Sequence, residues 1–243
     1  MTQNNEITEL EEADIEAYSP SPFYIGHRQR AKERFLKSKP GSFSEYDLLE
    51  LVLFYVVPRS DTKPIARELL YKFGSISKIL NALPNELKNT KGLGNSAYTF
   101  FRLIKEVSAK QHEEEMRSKP ILESWSALIK YARTTMGHLK TEVFRVIYLN
   151  KKNMIIADEF QDFGTVDNTP VYPREIIKKA LNYEASSIIL LHNHPSGNTN
   201  PSKSDIYSTN DIQRICLSLG IELIDHIIIS GESHYSFKNN GLL

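Results

Sequence analysis

His192-Asn193-His194, followed by Pro195-Ser196-Gly197 and then by Ser202 to Asp205, has the residue types and spacing to grip a metal ion. The residues ahead of it, Ser186 to Leu191, are an apolar run that reads as a buried strand. Alternate strand residues face the same way, so His192 and His194 at its end can aim two imidazoles at one point. Pro195 and Gly197 signal a loop. The chain resumes at Ser202 with a helix that can carry Asp205 in its first turn. Two imidazole nitrogens and one carboxylate oxygen are ligands that zinc accepts. A fourth protein ligand is not apparent nearby, and three ligands with an open position is the pattern of catalytic rather than structural zinc.

Each piece also has a plainer account. Histidines are common polar fillers at strand ends. Ser202 and Asp205 have the spacing of a capping box, with Ser202 as N-cap and Asp205 as its partner. The two accounts are compatible, because the helix dipole that favours an acid there also helps keep it ionised, as a ligand must be.

His-x-His, seven residues and then Ser-x-x-Asp resembles the JAMM motif of MPN/JAB-type metalloproteases. The longer run Leu191 to Gly197, with Pro201, Ser202 and Asp205, is similar more narrowly to RadC proteins. Val171-Tyr172-Pro173-Arg174-Glu175-Ile176 ahead of it and Asp225-His226-Ile227 after it agree with that resemblance. It extends over nearly the whole chain beyond about residue 22. It implies a zinc-dependent hydrolase of peptide or isopeptide amides, with Zn²⁺ held by His192, His194 and Asp205.

A water activated by such a metal needs a general base within hydrogen-bond reach. From the residues alone Glu142, Glu159, Glu175 and Glu184 all remain open. The family's catalytic glutamate lies at the start of a strand that comes after a helix. Ser124 to Met136 reads as a helix and residues 142 to 149 as a strand, so the resemblance selects Glu142. It likewise implies that Ser202 orients substrate or stabilises the oxyanion, a task for a hydroxyl donor. His226, within the apolar run Ile224 to Ile229, reads first as a core residue and second as a partner of a ligand. His-Glu-x-x-His is absent, which argues against a helical zincin.

The elements that must position these groups can be read from pattern. The 243 residues suffice for two modest domains, and 30 basic residues balance 30 acidic ones, so no bulk polyelectrolyte is present. Residues 1–21 are acidic and polar and read as a disordered tail. Residues 22–116 read as a helical domain, and 117–243 as an α/β domain with a mixed sheet and packed helices. The charge run Lys110 to Glu115 reads as a helix end and linker, which places the boundary near 117. The single cysteine, Cys216, excludes an internal disulfide and fits a core position. No apolar stretch approaches the ~20 residues of a membrane helix. No signal-peptide pattern is seen, so a cytoplasmic location is expected.

Between two helical segments, Lys91-Gly92-Leu93-Gly94 resembles a helix-hairpin-helix turn, which implies contact with DNA backbone. Gly92 and Gly94 permit positive φ, and backbone N–H groups there can hold a phosphate. The basic segment His27 to Lys39 offers further phosphate contacts. The RadC resemblance implies DNA repair, so a DNA-binding repair or recombination accessory, with a structural or vestigial zinc domain, is the alternative to a hydrolase. Phosphodiester hydrolysis is a weaker third, since many nucleases use two metals and the motif supplies ligands for one.

Overall fold

The computed structural model describes residues 26–58, 60–161 and 172–243, so the acidic segment 1–21 lies outside the described residues. The chain divides into two compact units, one ending at Tyr98 and one running from Thr99 to Leu243.

The first unit is helical: α1 (His27–Lys37), α2 (Glu45–Val56), α3 (Lys63–Phe73), α4 (Ile76–Leu80), α5 (Pro84–Lys88) and the start of α6 (Asn95–Arg117). Ser44 caps α2 by accepting the Asp47 N–H at 3.2 Å. Pro64 opens α3, and Gly74 closes it at φ +84°. Helix α6 runs on through the charge run that reads from sequence as a helix end. Glu113 pairs with Lys110 at 2.7 Å and with Arg117 at 3.0 Å, both at helical spacing. Met116 is fully buried in the core of the second unit with Ile121 and Leu128. The division between the compact units falls within α6, because the end of this helix belongs to the core of the second unit.

The second unit holds α7 (Trp125–Met136), β1 (Phe144–Leu149), β2 (Ile155–Gln161), α8 (Pro173–Asn182), β3 (Ser187–Asn193), α9 (Lys203–Ser218), β4 (Glu222–Ile229) and β5 (His234–Ser236). Among the described residues, five strands form one mixed sheet in the order β2-β1-β3-β4-β5. β1 is antiparallel to β2 and β3, β3 and β4 are parallel, and β5 is antiparallel to β4. The α9 crossover between β3 and β4 is what a parallel pair requires.

Period-two alternation sorts the side chains of the sheet. Ile189 and Leu191 join Ile147, Leu149 and the α7 residues Leu128 and Ala132 in one core layer. Ile188 and Leu190 join Val146, Tyr148, Ile176 of α8 and Ile212 and Cys216 of α9 in the other. With helices on both faces, every residue of β3 is buried, which is why its sequence is an uninterrupted apolar run.

One charged pair lies inside the first layer. Arg145 Nε reaches Asp158 Oδ1 at 2.5 Å, with both side chains almost wholly buried. Tyr131 donates to Asp158 Oδ2 at 3.0 Å, and Arg145 also donates to Thr135 and to the Tyr131 hydroxyl. Desolvation, with Asp158 adding to it, pushes the Tyr131 phenol up to about 12. Asp158→Ala would leave the guanidinium buried and unpaired. It should cost about 3–5 kcal/mol of stability, read as a lower urea midpoint at unchanged slope; an unaltered midpoint would show the pair to be dispensable.

Candidate metal centre

His192 is the sixth residue of β3, and His194 lies just past the strand, where its backbone N–H donates to Ile229 O at 3.0 Å. Both imidazoles converge, with their Nε2 atoms 3.0 Å apart. Asp205 comes from the first turn of α9. Its Oδ1 lies 3.5 Å from His192 Nε2 and its Oδ2 3.5 Å from His194 Nε2. Glu142 sits in the segment between α7 and β1, two residues before the strand begins at Phe144. Each of Glu142, His192, His194 and Asp205 offers one ligand-type atom, all within 4.8 Å of one another.

The plainer account of Ser202 and Asp205 holds alongside this one. Ser202 Oγ accepts the Asp205 N–H at 3.1 Å, and Asp205 Oδ2 accepts the Ser202 N–H at 2.7 Å, a complete capping box. The box fixes the Asp205 carboxylate while Oδ1 faces His192. Because Ser202 Oγ accepts in that bond, its own hydroxyl proton remains available for donation.

The charges are arranged for a cation. Burial alone would raise the Asp205 carboxyl, but hydrogen bonding with His194, attraction to the His192 ring in its protonated form and the bonds to Ser202 outweigh it and hold the group well below the usual carboxylate range. Burial pushes His192 down to about 4, so it is neutral at neutral pH. Hydrogen bonding to Asp205 raises His194, with burial opposing the rise. Desolvation raises Glu142, Asp205 raises it further and His194 opposes the rise. His194 Nδ1 lies 2.7 Å from the Asn198 carbonyl oxygen. A carbonyl only accepts, so Nδ1 carries a proton, and in the neutral ring Nε2 presents its lone pair to the cluster. Two imidazole nitrogens and an ionised carboxylate fit zinc in ligand type and number, and the fourth group, Glu142, stays protonated more readily than Asp205.

Three buried residues brace these four. Asn193 points to the α7 side of the sheet, opposite to His192, and is fully buried. Its Oδ1 accepts the Val143 N–H at 2.8 Å, and its Nδ2 donates to the carbonyls of Thr141 at 3.1 Å and Leu139 at 3.4 Å. The residue between the two histidines thus ties down the segment that carries Glu142. Asn193→Ala should speed hydrogen exchange of the Val143 amide by about tenfold or more; unchanged protection there would mean that packing alone holds the segment. On the other face, His226 Nε2 lies 2.8 Å from His192 Nδ1, and His226 Nδ1 lies 2.6 Å from Thr209 Oγ1. His226 is therefore both a core residue and a hydrogen-bond partner of His192, whereas its sequence context favours the core role. Neither Asn193 nor Thr209 carries a sequence signal of its role.

The other glutamates are occupied elsewhere or distant in the fold. Glu159 on β2 pairs with Lys179 at 2.6 Å and accepts from the Tyr183 hydroxyl. Glu175 lies in the first turn of α8 and Glu184 just beyond its end, and neither is in the cluster. In the helical unit, Lys91, Gly92 and Gly94 lie in the turn between α5 and α6 and are exposed. Gly92 takes φ +91°, but Gly94 does not use the left-handed region that the sequence left open to it. Part of the basic α1 surface is committed internally: Arg28 donates to the carbonyls of Phe54, Val57 and Ser60, and Arg34 pairs with Asp47 at 2.6 Å. No helix among the described residues is long and apolar enough to cross a membrane.

Known proteins match both units. A family model described as RadC-like JAB domain covers residues 122–242. A UPF0758 protein of Ruegeria pomeroyi is 45% identical over 91% of this chain and all of its own length. UPF0758 proteins of Rhodobacter capsulatus and Fusobacterium nucleatum are each 43% identical, over 87% and 90% of this chain and 99% and 97% of their own. With relatives this similar along their whole length, and with the domain match enclosing all four clustered residues, the chain belongs to the UPF0758 family, the RadC family, and carries a RadC-like JAB domain in residues 122–242.

Proposed function

We propose that this protein is a zinc-dependent hydrolase of peptide or isopeptide amide bonds. The observation that carries the reading is the meeting of two carboxyl groups with opposite tendencies beside two converging imidazoles. Asp205 is held ionised and Glu142 is drawn towards its protonated form. Paired carboxyls pushed apart in this way divide into a charge-holding and a proton-moving role.

His192, His194 and Asp205 would hold the zinc. Zinc, when bound, supplies Lewis acidity that lets water ionise at a pKa of about 7. Glu142 takes the proton of the attacking water and hands it to the amine nitrogen that leaves. The Ser202 hydroxyl donates to the substrate carbonyl oxygen as that atom gains charge. The JAB family, which includes metalloproteases, agrees with this chemistry. The test is metal analysis of the protein purified without added metal, beside cleavage of a peptide-amide library with and without chelator. Zinc that co-purifies and supports cleavage is expected. A protein that refuses zinc on reconstitution would sink the reading.

A second reading, sequence-independent contact of the α5–α6 turn with DNA backbone, is favoured by one observation. Gly92 adopts φ +91° beside exposed Lys91, in a short turn between two helices. It predicts duplex binding that weakens steeply with salt, with a log–log slope lower by about 0.9 in Lys91→Ala. Lys91 is the cleaner probe, since a Cβ on Gly92 would come within 3.0 Å of Ile65 Cδ1. Absence of binding at low salt would remove DNA from the account.

A further inference from the structure

We propose that Thr209 and His226 are positioning residues that lock His192 in its Nδ1–H form and so aim the Nε2 lone pair at the metal position. This rests on the metal reading of the site. The reasoning is a count of protons along one buried chain of hydrogen bonds. Thr209 has a single hydroxyl proton, and it is donated to the backbone carbonyl of Asp205 at 2.5 Å. A carbonyl cannot donate back, so the direction of the chain is set at this end. Thr209 Oγ1 must then accept from His226, 2.6 Å away, which places a proton on His226 Nδ1.

His226 is buried, and no carboxylate bonds to its ring, so the imidazolium form is disfavoured and it carries only that one proton. Its Nε2 is therefore an acceptor. The 2.8 Å contact to His192 needs a proton from the other side, and His192 Nδ1 must supply it. His192 Nε2 is left with its lone pair. It faces His194 Nε2 at 3.0 Å, an atom whose proton has likewise been placed on Nδ1, by the Asn198 carbonyl. With both rings neutral and protonated at Nδ1, two lone pairs face one another at 3.0 Å, and a cation between them satisfies both.

The same chain acts on distance as well as on protons. It begins at the backbone of Asp205 on α9, crosses β4 through His226 and ends on β3 at His192. Two of the three ligand-bearing residues are thus joined by a path independent of the metal. The rings cannot turn away. Phe237 stacks on His226 at 4.7 Å with an interplanar angle of 21°, and Phe144 stacks on His192 at 6.0 Å and 13°. A site whose tautomer and spacing are set beforehand loses less on binding, which is why partners of metal-ligating histidines are worth about 10–100-fold in affinity.

The test compares wild type with Thr209→Val, which keeps shape and removes the hydroxyl, and with Thr209→Ser, which restores it. Nitrogen-15 NMR of the histidine rings in metal-free protein reads the tautomer directly. The wild type and Thr209→Ser are expected to show His192 protonated at Nδ1, while Thr209→Val should show a mixture. Zinc affinity, measured by chelator competition, should fall about 10–100-fold in Thr209→Val and recover in Thr209→Ser. Nε2-protonated His192 in the wild type would overturn the proposal, and so would equal zinc affinity in Thr209→Val. The tautomer measurement needs neither metal nor substrate. A wild type that never binds zinc would thus defeat the proposed function, and the histidine spectrum would still decide whether the relay exists.

Discussion

Asp205→Ala should lower bound zinc from about one ion per chain to near none, without unfolding the domain. Asp205 supplies the only carboxylate within 3.5 Å of both ligand nitrogens among the described residues. Removing it leaves two neutral imidazoles, which hold a divalent ion weakly. The same substitution breaks the capping box with Ser202, so some stability is lost for a reason unrelated to metal. Loss of an N-terminal cap costs about 0.5–2 kcal/mol. The two effects separate through a second variant. Ser202→Ala removes the cap hydroxyl and keeps the carboxylate, so its stability should fall by a similar amount while zinc content stays. Metal analysis and thermal unfolding of both variants make the comparison. If Asp205→Ala keeps its zinc, the ligand set is different and the centre must be reassigned.

Glu142→Gln should abolish amide hydrolysis while leaving zinc in place. A positioned general base contributes about 10²–10⁴-fold, and the glutamine amide occupies the same volume but cannot accept and pass on a proton. Glu142 lies within the cluster but in a different segment from β3, its trailing residue His194 and α9, which carry the other three groups. It is held instead through the grip of Asn193 on residues 139 to 143. Its exposed position and raised carboxyl are those of a group that trades protons. The decisive measurement is kcat/KM on a cleaved peptide with metal content determined on the same sample. Full activity in a zinc-replete variant would assign the base elsewhere. Loss of both zinc and activity would make Glu142 a fourth ligand, and the centre a structural one.

Sequence alone carried the parts that are local in the chain. The convergence of the His-x-His pair is legible because strand alternation is a property of consecutive residues, and the place of Asp205 because a helix N-terminus is announced by Ser202 three residues earlier. The strands and helices of the second unit are legible for the same reason: β3 is buried on both faces and is accordingly apolar throughout. Glu142 is different. Four glutamates have equal standing in the sequence, and a family resemblance chooses among them. In the fold it is the pairing of β1 with β3 that brings Phe144 opposite His192 and so sets Glu142 beside the histidines. The end of α6 misleads because a dense charge run looks like a linker, although its charges pair at helical spacing and Met116 anchors it in a core.

Only tertiary structure could decide what surrounds the ligands. Asn193 reaches a segment some 50 residues earlier, and His192 meets His226 34 residues later. These pairings depend on the strand order β1-β3-β4 and on α9 crossing between parallel neighbours. In sequence, a lone histidine in an isoleucine-rich strand or a threonine on a helix carries the same signature whether it fills space or directs a proton. The difference lies in which atom stands 2.6–2.8 Å away, and a hydrogen bond between distant segments leaves no periodicity for a sequence to display.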